Sequence, residues 1–234
     1  MMLTHSPTGD DVISQLLAAW VESVLHYDEI MAGDAGQGRD CCWWYNERAN
    51  VSVLAGAAWA KGWVALEEYS TLKRAEAPTS GVDDEGDSGA RGRVDLYVST
   101  PHEDCAFEAK QVWVRLGPDF VDAGCSGKIA EGKKAARRDA LKLLGEASAH
   151  YAVTFVVPFV SPEGLANSTV AEFPENLCRW LSGFATHSES ADCASDHGSM
   201  QMAYVFPRLD ERCYVNAAGF YYPGVVAFVE VVGQ

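Results

Sequence analysis

The sequence predicts an α/β fold, a mixed sheet flanked by helices, and three observations carry that reading. Apolar residues recur at helical spacing near the N-terminus and again in later segments. A strand-rich middle lies between those helices, and two further β-like runs finish the chain. With 234 residues and 48% hydrophobic content, the chain is long enough to bury a packed core.

The elements follow in order. Thr8 or Asp10 can cap a first helix running to about Met31, with Val12, Ile13, Leu16, Leu17, Trp20, Val21, Val24 and Leu25 on its apolar stripe. The glycine-rich GDAGQG that follows has no strand before it, which a dinucleotide-binding loop requires, and reads as a linker. A second helix is expected over about Trp43 to Lys61. Ala55, Ala57, Ala58 and Ala60 allow it to pack closely on a sheet, and Gly62 ends it. Next come a strand over about Trp63–Leu72, a hairpin of Arg93–Ser99 and Cys105–Arg115, and a helix from about Lys128 to Leu144. A buried strand over Tyr151–Val160, a helix near Asn176–Phe184, and strands in MAYVFP and GVVAFVEVV complete the chain, read as a single domain over 1–234. Ala77–Gly92 and His187–Ser199 are polar and read as mobile loops; Asp83, Asp84, Glu85 and Asp87 belong to the first and read as loop residues, not as metal ligands.

Composition excludes several functions. A net charge of -15 argues against broad nonspecific affinity for nucleic acid, although a local site can oppose the global charge. No apolar run reaches the roughly 18 residues of a membrane helix, and the N-terminus lacks the pattern of a signal peptide. The seven scattered cysteines show no metal-ligand spacing and predict reduced thiols in a cytoplasmic protein.

The segment GRVDLYVSTPHEDCAFEAKQVW, residues 92–113, carries the functional signal. Asp95 is expected to face away from Val94, Leu96 and Val98, while Glu108 and Lys110 share one face of the next strand. Antiparallel pairing through the Thr100–Asp104 loop would bring Asp95 near Glu108. Two close carboxylates repel, and a divalent cation relieves them. Mg²⁺ takes oxygen ligands and keeps several waters. A lysine beside it can orient or deprotonate such a water, a set of parts suited to phosphodiester hydrolysis.

On these residues the chain resembles the PD-(D/E)XK, or restriction-endonuclease-like, nuclease superfamily. The matching positions are Glu47 on a helix, Asp95 on the first hairpin strand, and Glu108-Ala109-Lys110 on the second, within about 43–160. Val94 stands where the family name has proline, and Glu67 and Glu68 are alternatives to Glu47. The resemblance implies a restriction-endonuclease-like core with an extra N-terminal helix and C-terminal strands extending the sheet over about 161–234. It implies a Mg²⁺-dependent nuclease, with Mn²⁺ able to substitute, in which Asp95, Glu108, the Ala109 carbonyl and Glu47 hold metal. Lys110 is then catalytic together with Asp95, Glu108, Glu47 and Gln111, although alternation turns the Gln111 side chain the other way. Nucleic acid, DNA in the first instance, is the implied partner, and small nucleases of this kind often work as homodimers or with a protein partner.

Lys133, Lys134, Arg137 and Arg138, with Lys142, read as one basic side of a helix, either a solvated face or phosphate contacts. Trp43, Trp44, Tyr45, Phe220, Tyr221 and Tyr222 could stack on bases, with packing the plainer reading. The alternatives to a nuclease are a nuclease-fold protein that binds nucleic acid or protein without cutting, and an acidic interaction or immunity protein.

Overall fold

The computed structural model describes residues 1–31, 39–74, 89–117, 125–144, 147–167, 172–188 and 199–233. The expected linker at 33–38, residues 77–88 of the first polar loop and 189–198 of the second lie outside them. The order is β1 (Leu3–His5), α1 (Val12–Ile30), a 3₁₀ turn (Cys42–Trp44), α2 (Glu47–Ala60), β2 (Val64–Arg74), β3 (Gly89–Ser99), β4 (Asp104–Arg115), α3 (Cys125–Ala140), β5 (Leu143–Leu144), β6 (Ala149–Phe159), α4 (Pro162–Asn167), α5 (Glu172–Ser188), β7 (Met200–Phe206) and β8 (Val225–Gly233). The expected α/β class is present: one mixed, mostly antiparallel sheet with helices on both faces. Its strands run in the order β1-β7-β8-β6-β4-β3-β2-β5. Among the described strands only β4 and β6 pair in parallel, and α3 lies in the connection between them.

Alternation along β6 separates the layers. Phe155 meets Trp20 of α1, with ring centres 6.2 Å apart, while Ala152 packs with Ala136 and Ala140 of α3. The helix α3 lies close on the sheet because Gly132 has no side chain: a Cβ there would sit 2.2 Å from Val112 Cγ2. β8 enters between β7 and β6, and its Val225, Val226 and Ala227 are fully buried. The C-terminal strands therefore complete the core rather than decorate it.

Several boundaries differ from expectation for local reasons. Asp11, not Thr8 or Asp10, caps α1, its Oδ1 accepting from the Ser14 N–H at 3.0 Å. Trp43 and Trp44 belong to the 3₁₀ turn, and α2 starts after Asn46, whose Oδ1 accepts from Ala49 N–H at 3.1 Å. Gly62, at φ 77°, follows the end of α2 as expected. The third helix stops at Ala140. Leu143–Leu144 instead form an edge strand on Lys73 and Leu72, and Leu143 packs with Val94 and Ala106. Residues 89–92, expected in a loop, are strand paired with β2. No disulfide joins the six described cysteines, and no described helix is long and apolar enough to cross a membrane.

Candidate active site

The site is built where β3 and β4 part. Their ladder runs only from Ser99↔Asp104 to Leu96↔Phe107. Beyond it β3 stays with β2 and β4 stays with β6. Backbone N–H groups of β4 on the side that has lost its partner need other acceptors. Two carboxylates supply them: Asp95 Oδ2 accepts from Ala109 N–H at 2.8 Å, and Glu47 Oε2, from the first turn of α2, accepts from Gln111 N–H at 3.0 Å. Sequence reasoning brought Asp95 near Glu108; its charge acts on Glu108, and its carboxylate also accepts from the Ala109 amide.

Glu108 is 3% exposed. Burial pushes its carboxyl up to about 7, the neighbouring Asp95 charge adds to the effect, and Lys73 and Lys110 oppose it. Lys73 comes from β2, two strands away, and its Nζ lies 2.6 Å from Glu108 Oε1. Its stem passes over Gly92 of β3, where a Cβ would come 2.7 Å from Lys73 Cδ. The missing side chain at Gly92 is the channel through which this lysine reaches the fork. Glu47 is likewise raised, by burial first and then Asp95, with Lys110 opposing.

Lys110 Nζ donates to the Ala109 carbonyl at 2.8 Å and lies 3.3 Å from Asp139 Oδ2 of α3. Burial pulls its pKa down, but Glu47, Asp95 and Asp139 outweigh burial and hold it above its ordinary value. Lys110 is therefore a cation at neutral pH.

Strict alternation fails at Asp95. Leu96 and Val98 enter the main core, whereas Val94 packs in a separate cluster with Ala106, Leu143 and Tyr97. The cause lies on the partner strand. Glu68 adopts φ 52°, a left-handed conformation costly for a residue with a Cβ, and the β2–β3 register skips Glu68 and Asp95. Glu68 is held by Arg48 at 2.9 Å and Arg93 at 3.4 Å. Glu47, Glu67, Glu68 and Asp95 line one cavity of about 320 Å³ beside α2.

Gln111 turns its side chain toward α2, where Oε1 accepts from Asn50 Nδ2 at 2.8 Å. Its Nε2 is buried without a hydrogen-bond partner among the described residues. So Glu47, Asp95, Glu108 and Lys110 come together, while Gln111 contributes its backbone N–H and a side chain on the α2 side. Among the described residues, no group of three or more His, Cys, Asp or Glu side chains is placed to hold a metal ion.

The basic residues of α3 do not share one solvent face. Lys133 lies over the Phe228 ring at 3.5 Å and Arg137 pairs with Glu230, both against the sheet. Lys134 and Arg138 are exposed. Trp43 and Tyr221 are fully buried core residues, and Trp44 packs edge-on against Tyr222.

Sequence reasoning missed Lys73, Asp139 and Asn50. Each reaches the fork from a different element, and only the glycine opposite the end of β2 hinted at Lys73. No family model matches the chain, and no curated protein or solved structure gives a significant match.

Proposed function

We propose that this chain is a divalent-metal-dependent phosphodiesterase, a nuclease of the PD-(D/E)XK kind acting on nucleic acid, with DNA the first substrate to test. One observation carries the reading: Glu47, Asp95, Glu108 and Lys110 converge where β3 and β4 part. The order α2, β2, the β3 and β4 pair, α3 and then β6 supports this reading, since the resemblance implies a helix, a strand, a hairpin, a helix and a further strand.

The donor set fits a hard cation. Asp95 and Glu108 with the Ala109 carbonyl offer oxygen only, and water would complete the shell, as Mg²⁺ prefers; Mn²⁺ should substitute. Such an ion would supply positive charge beside the scissile phosphate and make a nearby water more acidic. The protein does the rest. Lys110, kept charged by three carboxylates, stabilises charge that grows on the phosphoryl oxygens. Asp139 holds its ammonium toward the fork. Glu47 fixes the β4 backbone at Gln111 and adds negative charge behind Lys110.

Cleavage of labelled DNA and RNA with Mg²⁺ or Mn²⁺ tests the proposal. Lys110→Ala should lower the rate by about 10²–10⁴ while leaving Mn²⁺ affinity and thermal stability close to wild type. An equally fast variant would remove Lys110 from the chemistry. A second reading has its own support: Glu108 is already paired with Lys73, and among the described residues no group of three or more His, Cys, Asp or Glu side chains is placed to hold a metal ion. A wild type that binds nucleic acid and cuts none of it would select that reading, a nuclease-fold binding protein.

A further inference from the structure

A cavity of about 430 Å³ opens beside the fork, on the sheet face that carries Glu108. Its floor is the small apolar cluster of Val94, Ala106 and Leu143, separate from the main core. Its wall is the stacked pair Tyr69 and Tyr97, ring centres 5.0 Å apart and inclined 26°. Arg91, exposed, and His150, half-buried, supply polar groups at the edges.

The lining positions lie beside the candidate catalytic ones along the chain. Val94 precedes Asp95, Ala106 lies two residues before Glu108 on the same strand, and Leu72 precedes Lys73, the Glu108 partner. A phosphodiester held at Asp95 and Glu108 therefore has this cavity as neighbour to one of its flanking nucleotides. We propose that the cavity seats an unpaired nucleobase next to the scissile phosphate, so that the substrate is single-stranded or carries a single-stranded segment.

Four features fit that occupant. The volume falls within the ~300–1,000 Å³ of small-ligand sites. Tyr69, 38% exposed, offers an aromatic surface, and base–aromatic stacking is tolerant of sequence. Burial holds the His150 imidazole below its ordinary pKa, so near neutral pH it is uncharged and offers a donor and an acceptor to a base edge. Arg91, exposed at the cavity, places positive charge on a strongly acidic chain where a backbone phosphate needs it. A base still paired and stacked in a duplex has no free edge or face to bring into such a cavity.

The inference rests on the phosphodiesterase reading, and one experiment separates the two. Intact protein with Ca²⁺ in place of Mg²⁺ is titrated with a short labelled oligothymidylate and with a blunt duplex of the same length. Cleavage of both is then followed with Mn²⁺. Wild type should bind and cut the single strand in preference to the duplex. Tyr69→Ala should weaken single-strand binding at least about fivefold, from the loss of one stacked base. Tyr69→Phe, which keeps the ring, should bind like wild type. Equal single-strand binding by Tyr69→Ala and wild type, or equal wild-type affinity for the duplex, overturns the base pocket while cleavage leaves the phosphodiesterase standing. A wild type that neither binds nor cuts either probe overturns both.

Discussion

The Lys133 ammonium lies 3.5 Å from the centre of the Phe228 ring and 3.4 Å from Met200 Sδ. Burial brings its pKa from 10.5 down to about 8, with Glu230 opposing. The unfolded chain therefore holds this proton more tightly than the folded one. The penalty is fully present below pH 8 and fades as pH rises toward 10.5. Lys133→Met keeps the packing and removes the charge, so its thermal midpoint should exceed wild type at pH 7, by up to about 3 kcal/mol in stability. The advantage should vanish near pH 10.5; a pH-independent difference would refute this account. Lys73 gives the opposite case. In EDTA, Lys73→Met leaves buried Glu108 without its ion pair, a loss of about 3–5 kcal/mol when the carboxylate stays charged. Glu108, pushed up to about 7, escapes part of that loss by taking a proton. Thermal melts should therefore show a larger deficit at pH 8.5 than at pH 6, and added Mn²⁺ should reduce it.

At the scale of the element, α3 shows what periodicity reveals and what it hides. Its cations were visible in the sequence, but which of them face water depends on where β7 and β8 lie, and those strands are more than fifty residues further along the chain. With Lys133 and Arg137 taken up by the sheet, only Lys134 and Arg138 of the four are exposed. If Lys134 and Arg138 contact phosphates, alanine at those two positions should flatten the log–log salt dependence of nucleic-acid binding by about 0.7–0.9 per lost contact. Alanine at Arg137 should instead lower the melting temperature. The helix α1 and the strand β6 were legible because long apolar patterns fix them. The sequence could not show β5, since Leu143–Leu144 become strand only where Lys73 and Leu72 offer an edge. Nor could it show the turn of face at Asp95, which follows from the backbone of Glu68 on another strand.

Across the whole molecule, Asp28 joins the two ends of the chain. It is 4% exposed in α1, accepts from Tyr214 Oη at 2.6 Å and Arg208 Nε at 2.8 Å, and lies 3.5 Å from Arg39. Asp28→Ala would leave the buried Tyr214 hydroxyl without its acceptor and leave Arg208 and Arg39 with Glu211 as their carboxylate, at a cost of about 1–3 kcal/mol. Because the contact links the N-terminal helix to the segment between β7 and β8, the loss should appear as one transition at lower denaturant, not as separate melting of one end. The candidate site is global in the same way. Asp95, Glu108 and Lys110 could be read from one hairpin, whereas Lys73, Glu47 and Asp139 converge on it from β2, α2 and α3.

The parting of β3 and β4 makes the molecule its own reporter. The amide protons of Ala109 and Gln111 are held by carboxylates, while the neighbouring β4 amides on the other side belong to the β6 ladder. A carboxylate drawn toward an incoming cation or phosphate must loosen its grip on the amide. Deuterium uptake at these two positions would then quicken on ligand binding, against the slowing that occupancy brings elsewhere. Two isotope-labelled sites could thus read out occupancy of the fork without any turnover.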